Sequence, residues 1–212
     1  MEQMRTVYVG FSKHRHAWAL MSFLIRWWEA PKTRNPLTWF RLFSASHVFL
    51  IFPANTRRPF YMVSEAAGSS VRYMSQSNFE GHAEITRVYE LRFPKVVYDK
   101  IKTYSEQYAG SPYALIENAG IVISRILGRS HNIFASGENR QKCSELVLRN
   151  AILRLPDMTF EKLIDSVQGE CGYRLVPDLD SIGVRDVEVI LDSLVRRGII
   201  DEVSRYGKLK VK

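Results

Sequence analysis

Two residue types in this 212-residue chain could supply a nucleophile and its base near neutral pH: two cysteines, Cys143 and Cys171, and five histidines. Cys143 stands where the polar run of residues 139–142 gives way to a mostly apolar stretch that ends at Pro156. A cysteine opening a buried helix meets unpaired backbone N–H groups and the positive end of the dipole, and both favour a thiolate. Cys171 sits in Gly169-Glu170-Cys171-Gly172 with no helix start, so Cys143 is the stronger candidate. Glu145, two residues on, is expected to be a dipole-favoured carboxylate of the first turn rather than a catalytic acid.

A thiol needs a base within hydrogen-bond reach and a third group to orient that base. His47 opens an apolar run bounded by Pro53, where its ring would be held; His14, His16, His82 and His131 fall in polar stretches. A lone strand histidine is usually a hydrogen-bonded core residue, but Glu65 weighs against that reading here. It interrupts the apolar run of the next strand, where an unpaired carboxylate is costly to bury. A hairpin turning near Thr56 brings His47 and Glu65 to comparable depth, so Glu65 can accept the His47 N–H and fix its tautomer.

The elements that must position these groups follow from pattern. Residues 6–11 read as a short strand, and Trp18, Leu20, Met21, Leu24, Ile25 and Trp28 recur at helical spacing. Residues 47–52 form a strand apolar on both faces, residues 60–66 its antiparallel return, and residues 71–74 continue extended. Ile85, Arg87, Tyr89, Leu91 and Phe93 alternate with polar residues as a further strand that only Val88 interrupts. Pro94 opens a helix closed by Gly110, and a second helix runs from Ser111 to Gly128. The Cys143 helix follows, then one capped by Asp157 or Thr159 and ended by Gly169. The last, capped by Ser181, stops at Gly198. Strands first and helices mainly after indicate an α+β fold. Pro177 is the expected boundary between a domain of residues 1–176 and a C-terminal helical extension of residues 177–212.

Composition narrows the function classes. Hydrophobic residues at 46% and aromatics at 12% describe a packed globule. The N-terminus lacks the basic start and apolar run of a signal peptide, and the most hydrophobic stretch, residues 17–28, is too short to span a bilayer. The expectation is a protein without an export signal or transmembrane segment, cytoplasmic, or virion-associated if phage-encoded. A net charge of +8 would suit nucleic acid, an anionic membrane or a cell-wall polymer. The basic residues are scattered, however, so no dedicated nucleic-acid site is expected.

His47-Val48 before an apolar strand, Val63-Ser64-Glu65-Ala66, Gly110-Ser111-Pro112-Tyr113 and Cys143-Ser144-Glu145-Leu146-Val147 together resemble the circularly permuted NlpC-type papain-like hydrolases, the YiiX-like group. There the histidine strand precedes the cysteine helix, reversing the ordinary papain-like order. The resemblance covers about residues 5–155, and the opening Val7-Tyr8-Val9-Gly10-Phe11 is similar in style to phage-encoded members. It implies a small antiparallel sheet packed against helices, with the nucleophile at the N-terminus of a buried helix. By position it implies Cys143 as nucleophile, His47 as general base, Glu65 as orienting residue and Tyr113 beside the oxyanion or substrate. The Cys143 backbone N–H would be the oxyanion donor. No cofactor and no metal are implied, and the substrate class is an amide or peptide-like bond, such as a peptidoglycan stem peptide. Lys142 departs from the aspartate that many ordinary members carry before the cysteine, and the Gly-Gly after the tyrosine is missing. The Asn-Cys-Glu-His signature of lecithin retinol acyltransferase-like relatives is also absent, which disfavours lipid acyl transfer and leaves a thioester or lipid acyl hydrolase as an alternative to the amide hydrolase.

Two rival readings have less behind them. A catalytically inactive module could bind nucleic acid or a protein; Leu191, Leu194 and the Arg-Arg-Gly-Ile-Ile ending loosely resemble a winged helix. A metal site from His14, His16, His131 and Cys143 lacks the second ligand pair usual in structural zinc sites.

Overall fold

The computed structural model describes residues 3–14, 47–53, 62–67, 70–112, 142–171, 175 and 179–203, and for residues 14, 62–67, 76, 171 and 180 the backbone alone. Among the described residues the strands are β1 (Met4–His14), β2 (His47–Phe52), β3 (Met62–Ala67), β4 (Ser70–Ser75), β5 (Ala83–Pro94) and β6 (Asp201–Glu202). They form one antiparallel sheet in the order β4-β3-β2-β1-β5-β6. Five helices accompany it among the described residues: α1 (Gln76–His82), α2 (Lys95–Gln107), α3 (Cys143–Asn150), α4 (Phe160–Cys171) and α5 (Val184–Arg196). The fold is α+β with a small antiparallel sheet, as the strand-then-helix order predicts. The helices expected over residues 17–28 and 111–128 lie outside the described residues.

Alternation assigns the two faces of the sheet. Val7, Val9 and Phe11 of β1, Val48, Leu50 and Phe52 of β2, and Tyr89, Leu91 and Phe93 of β5 point to one side. They share a core there with Ile101 of α2, Leu146 to Leu148 of α3, Leu163 and Val167 of α4, and Val187, Ile190, Leu191 and Leu194 of α5. Among the described residues the other side is smaller: Phe49, Ile51, Ala83 and Val88 are covered by Phe79 of α1, with Tyr8, Met74 and Ile85 at its margin. Burial of β2 on both faces explains its unbroken apolar run. Phe49 reaches across to β1, where a Cβ on Gly10 would lie 2.4 Å from its ring, so only glycine fits there.

Several boundaries differ from the sequence expectation, each for a physical reason. β1 runs to His14 because β5 pairs with it along its whole length. That pairing shifts register between Phe11 and Ser12, leaving Thr86 as an extra residue whose Oγ1 donates to the Phe11 carbonyl at 3.2 Å. The bulge turns Ile85 to the second face while Arg87, Tyr89, Leu91 and Phe93 stay on the first, and Val88 is buried on the second rather than interrupting the strand. Helix α3 stops at Asn150, not at Pro156. Ala151 leaves helical geometry, and a 3-10 turn over Ile152–Arg154 takes Ile152 and Leu155 into the main core. Helix α4 runs through Gly169 to Cys171. Glycine there costs about 1 kcal/mol, and the Glu170 carboxylate offsets it by accepting from Ser193 at 2.7 Å and pairing with Arg196 at 3.5 Å, both on α5.

The C-terminal segment is not an appendage. Helix α5 is capped at Gly183, not at Ser181: the Asp186 carboxylate accepts the Gly183 N–H at 2.7 Å, while Ser181 ends a 3-10 turn. Its apolar residues enter the same core as β1, β2 and β5, and β6 pairs with β5 through Tyr89–Glu202 and Glu90–Asp201. The expected boundary at Pro177 therefore divides one core. Gly110 and Gly198, with φ of +86° and +67°, end α2 and α5 as their positions in the sequence suggest.

Candidate active site

Cys143 is the first residue of α3, preceded by Lys142 in extended conformation. The helix lies against β2 and β3 on the main-core side, and Cys143 is buried at 4% exposure. The first intrahelical bond runs from the Leu146 N–H to the Lys142 carbonyl at 2.9 Å, so the N–H groups of Cys143 and Ser144 precede the ladder. Such donors can hold an oxyanion, provided substrate reaches the thiol. Ser144 is buried too, its Oγ donating to the Ile182 carbonyl at 2.7 Å. Glu145 pairs with Arg149 one turn on, at 2.8 Å. That is the structural use expected of a first-turn carboxylate.

His47 is the first residue of β2 and is 5% exposed. It lies opposite Ser12 of β1, and its ring stacks on Phe49 with centroids 6.1 Å apart and planes 18° from parallel. Phe49 belongs to the smaller core on the far side of the sheet. His47 therefore lies on the Phe49 face, whereas Cys143 belongs to the core on the Val48 face. Among the described residues no hydrogen bond joins His47 to Cys143.

Glu65 is known by its backbone position. It pairs with Arg72 of β4, and the β2–β3 register (Leu50 with Ser64, Ile51 with Val63), continued one residue, sets it opposite Phe49. That position is diagonal to His47 on the same face, one pleat from the directly opposed site. The register thus sets positions 12, 47 and 65 on one face of the sheet, and Cys143 belongs to the core on the other. Tyr113, like His16 and His131, lies outside the described residues. Cys171 is the last residue of α4, not a loop residue.

A charged cluster that sequence reading passed over lies on the main-core side. Arg87 donates to Glu188 at 3.0 Å, to Asp192 at 2.6 Å and to Glu202 at 3.0 Å, and its guanidinium sits 5.0 Å from the Tyr89 ring centre. The Tyr89 hydroxyl donates to Asp192 at 2.7 Å. Burial acts to lower the Arg87 pKa, but the bonds to Glu202 and Asp192 outweigh it and raise the value above the usual range. Its one sequence signal is an arginine on the inward alternation of β5.

A surface groove of about 440 Å³ is lined by Asp99, Lys100, Thr103, Tyr104, Gln107 and Arg154, and includes neither Cys143 nor His47. Among the described residues no group of three or more His, Cys, Asp or Glu could hold a metal ion, and no helix is long and apolar enough to cross a membrane. The chain matches no protein-family model, no curated protein and no solved structure.

Proposed function

We propose that this chain is a thiol hydrolase of permuted papain-like architecture, cleaving an amide or peptide-like bond with Cys143 as nucleophile. The observation that carries the reading is Cys143 as the first residue of a helix docked on an antiparallel sheet, the setting in which a thiolate and an oxyanion gain most from backbone N–H groups. The order of the His47, Glu65 and Cys143 motifs adds to it. In the reaction the Cys143 thiolate attacks the carbonyl carbon, the protonated base gives its proton to the leaving amine, and water hydrolyses the thioester. His47 is the proposed base and Glu65 its orienting partner. With its ring against Phe49, His47 must move at the start of β2 to serve Cys143. A peptidoglycan stem peptide is the proposed substrate class, consistent with a net charge of +8.

The second reading is a catalytically inactive module of the same fold, and the separation of His47 from Cys143 across β2 favours it. The rate of Cys143 alkylation against pH, in a Cys171→Ala background and with and without His47→Ala, decides between them. The hydrolase requires an alkylation midpoint below the ordinary thiol value near 8.5 that rises when His47 is removed. An ordinary midpoint indifferent to His47 rejects it in favour of the inactive module. Screening cell-wall fragments, isopeptides and acyl lipids, with Cys143→Ala as the blank, then identifies the bond.

A further inference from the structure

The stretch before α5 reaches the nucleophile helix directly. Ser181, Ile182, Gly183 and Val184 are all buried, and the Ile182 carbonyl accepts the Ser144 hydroxyl at 2.7 Å. This is a hydrogen bond between buried groups 38 residues apart, made by the residue next to Cys143. The stretch is itself anchored: Asp186 ties Gly183 at the start of α5, and the Arg87 cluster ties the middle of α5 to β5 through Glu188 and Asp192. The first turn of α3 is thus fixed to the sheet on one side and to the C-terminal strap on the other.

Resting on the hydrolase reading, we propose that Ser144 is a positioning residue and the strap of residues 181–184 its support, together setting the aim of the Cys143 thiol and of the first-turn N–H groups. A main-chain carbonyl is a fixed acceptor, so the Ser144 bond fixes the rotation of the first turn about the helix axis. That turn carries both groups the reaction needs in register: the sulfur that attacks and the donors that receive the oxyanion. Loss of the bond leaves a buried carbonyl unsatisfied and frees the turn to shift. A displacement of about 1 Å is enough to cost a reaction ~10²-fold.

The test follows Cys143 alkylation by iodoacetamide against pH in the full chain, with Cys171→Ala throughout. Ser144→Ala is expected to slow alkylation at least about tenfold, within that ~10²-fold range, and to move its pH midpoint. Ser144→Thr, which keeps the donor, is expected to retain the wild-type midpoint. Leu148→Val, a core change in the same helix, controls for stability: it should lower the melting temperature without moving the midpoint. Asp192→Asn loosens α5 without touching α3 and should move the midpoint in the same direction, by less. It carries the test if Ser144→Ala does not fold. An activated wild-type thiol whose profile neither Ser144→Ala nor Asp192→Asn changes overturns the positioning role alone. A wild-type thiol that behaves as an ordinary cysteine, indifferent to His47, overturns the hydrolase reading and this proposal together.

Discussion

Replacing Arg87 with methionine keeps most of the aliphatic stem and removes the guanidinium that joins β5, α5 and β6. The cost follows from which partners are left without it. Glu202 is 39% exposed and regains water, so its share is within about 1 kcal/mol. Glu188 is 5% exposed and cannot; Asp192, at 29%, only partly can. Breaking a buried ion pair by removing one partner costs about 3–5 kcal/mol. Here Glu188 keeps Arg185 at 2.6 Å and Asp192 keeps the Tyr89 hydroxyl, which argues for the lower end. The expected loss is therefore about 3 kcal/mol. For a chain of this size that corresponds to a melting temperature lower by about 6–12 °C. Urea unfolding of the two proteins should show a lower midpoint at unchanged slope, because the exposed surface is the same. Glu202→Gln, assayed beside it, should fall within about 1 kcal/mol of wild type. The reasoning fails if Arg87→Met is as stable as the parent, or if Glu202→Gln costs as much.

Two further outcomes follow from the same structure. Burial, followed by the Asp192 carboxylate, pushes the Tyr89 phenol above its ordinary range, with Arg87 pulling the other way. The folded chain then keeps a proton that the unfolded chain loses above about pH 10, so the contribution is whole below that value and is lost as pH rises beyond it. Denaturant unfolding near pH 8 and again near pH 11 should show a steeper loss for wild type than for Tyr89→Phe, and equal slopes would refute the assignment. On the opposite face, Gly10→Ala drives a Cβ into the Phe49 ring and should cost about 1–3 kcal/mol by overpacking. Adding Phe49→Leu should recover part of that, and a double-mutant cycle with no coupling would show that the ring does not hold Gly10.

Local chemistry made much of this protein legible in its sequence. The unbroken apolar run of β2, the alternation of β5, Pro94 and Gly110 around α2, and Cys143 at a helix start are all signals of a few residues' range, and each element forms where they indicate. Thr159 and Gly198 likewise act at helix ends, the Lys162 N–H donating to the Thr159 hydroxyl at 3.3 Å. Such signals cannot say which face of a doubly apolar strand receives a helix. His47 and Val48 differ by one pleat, and only the docking of α3 on the Val48 side determines that His47 lies across the strand from Cys143. The Thr86 bulge, the Arg87 cluster and the Ser144–Ile182 bond join residues tens of positions apart, so no local pattern announces them. The sequence alone indicated β1 to β5 and α2 to α5, though not α1 over Gln76–His82, and the residue types able to do chemistry. Tertiary packing decided which of those residues meet, and that the C-terminal segment belongs to their core, because long-range register and helix docking depend on the whole chain's burial.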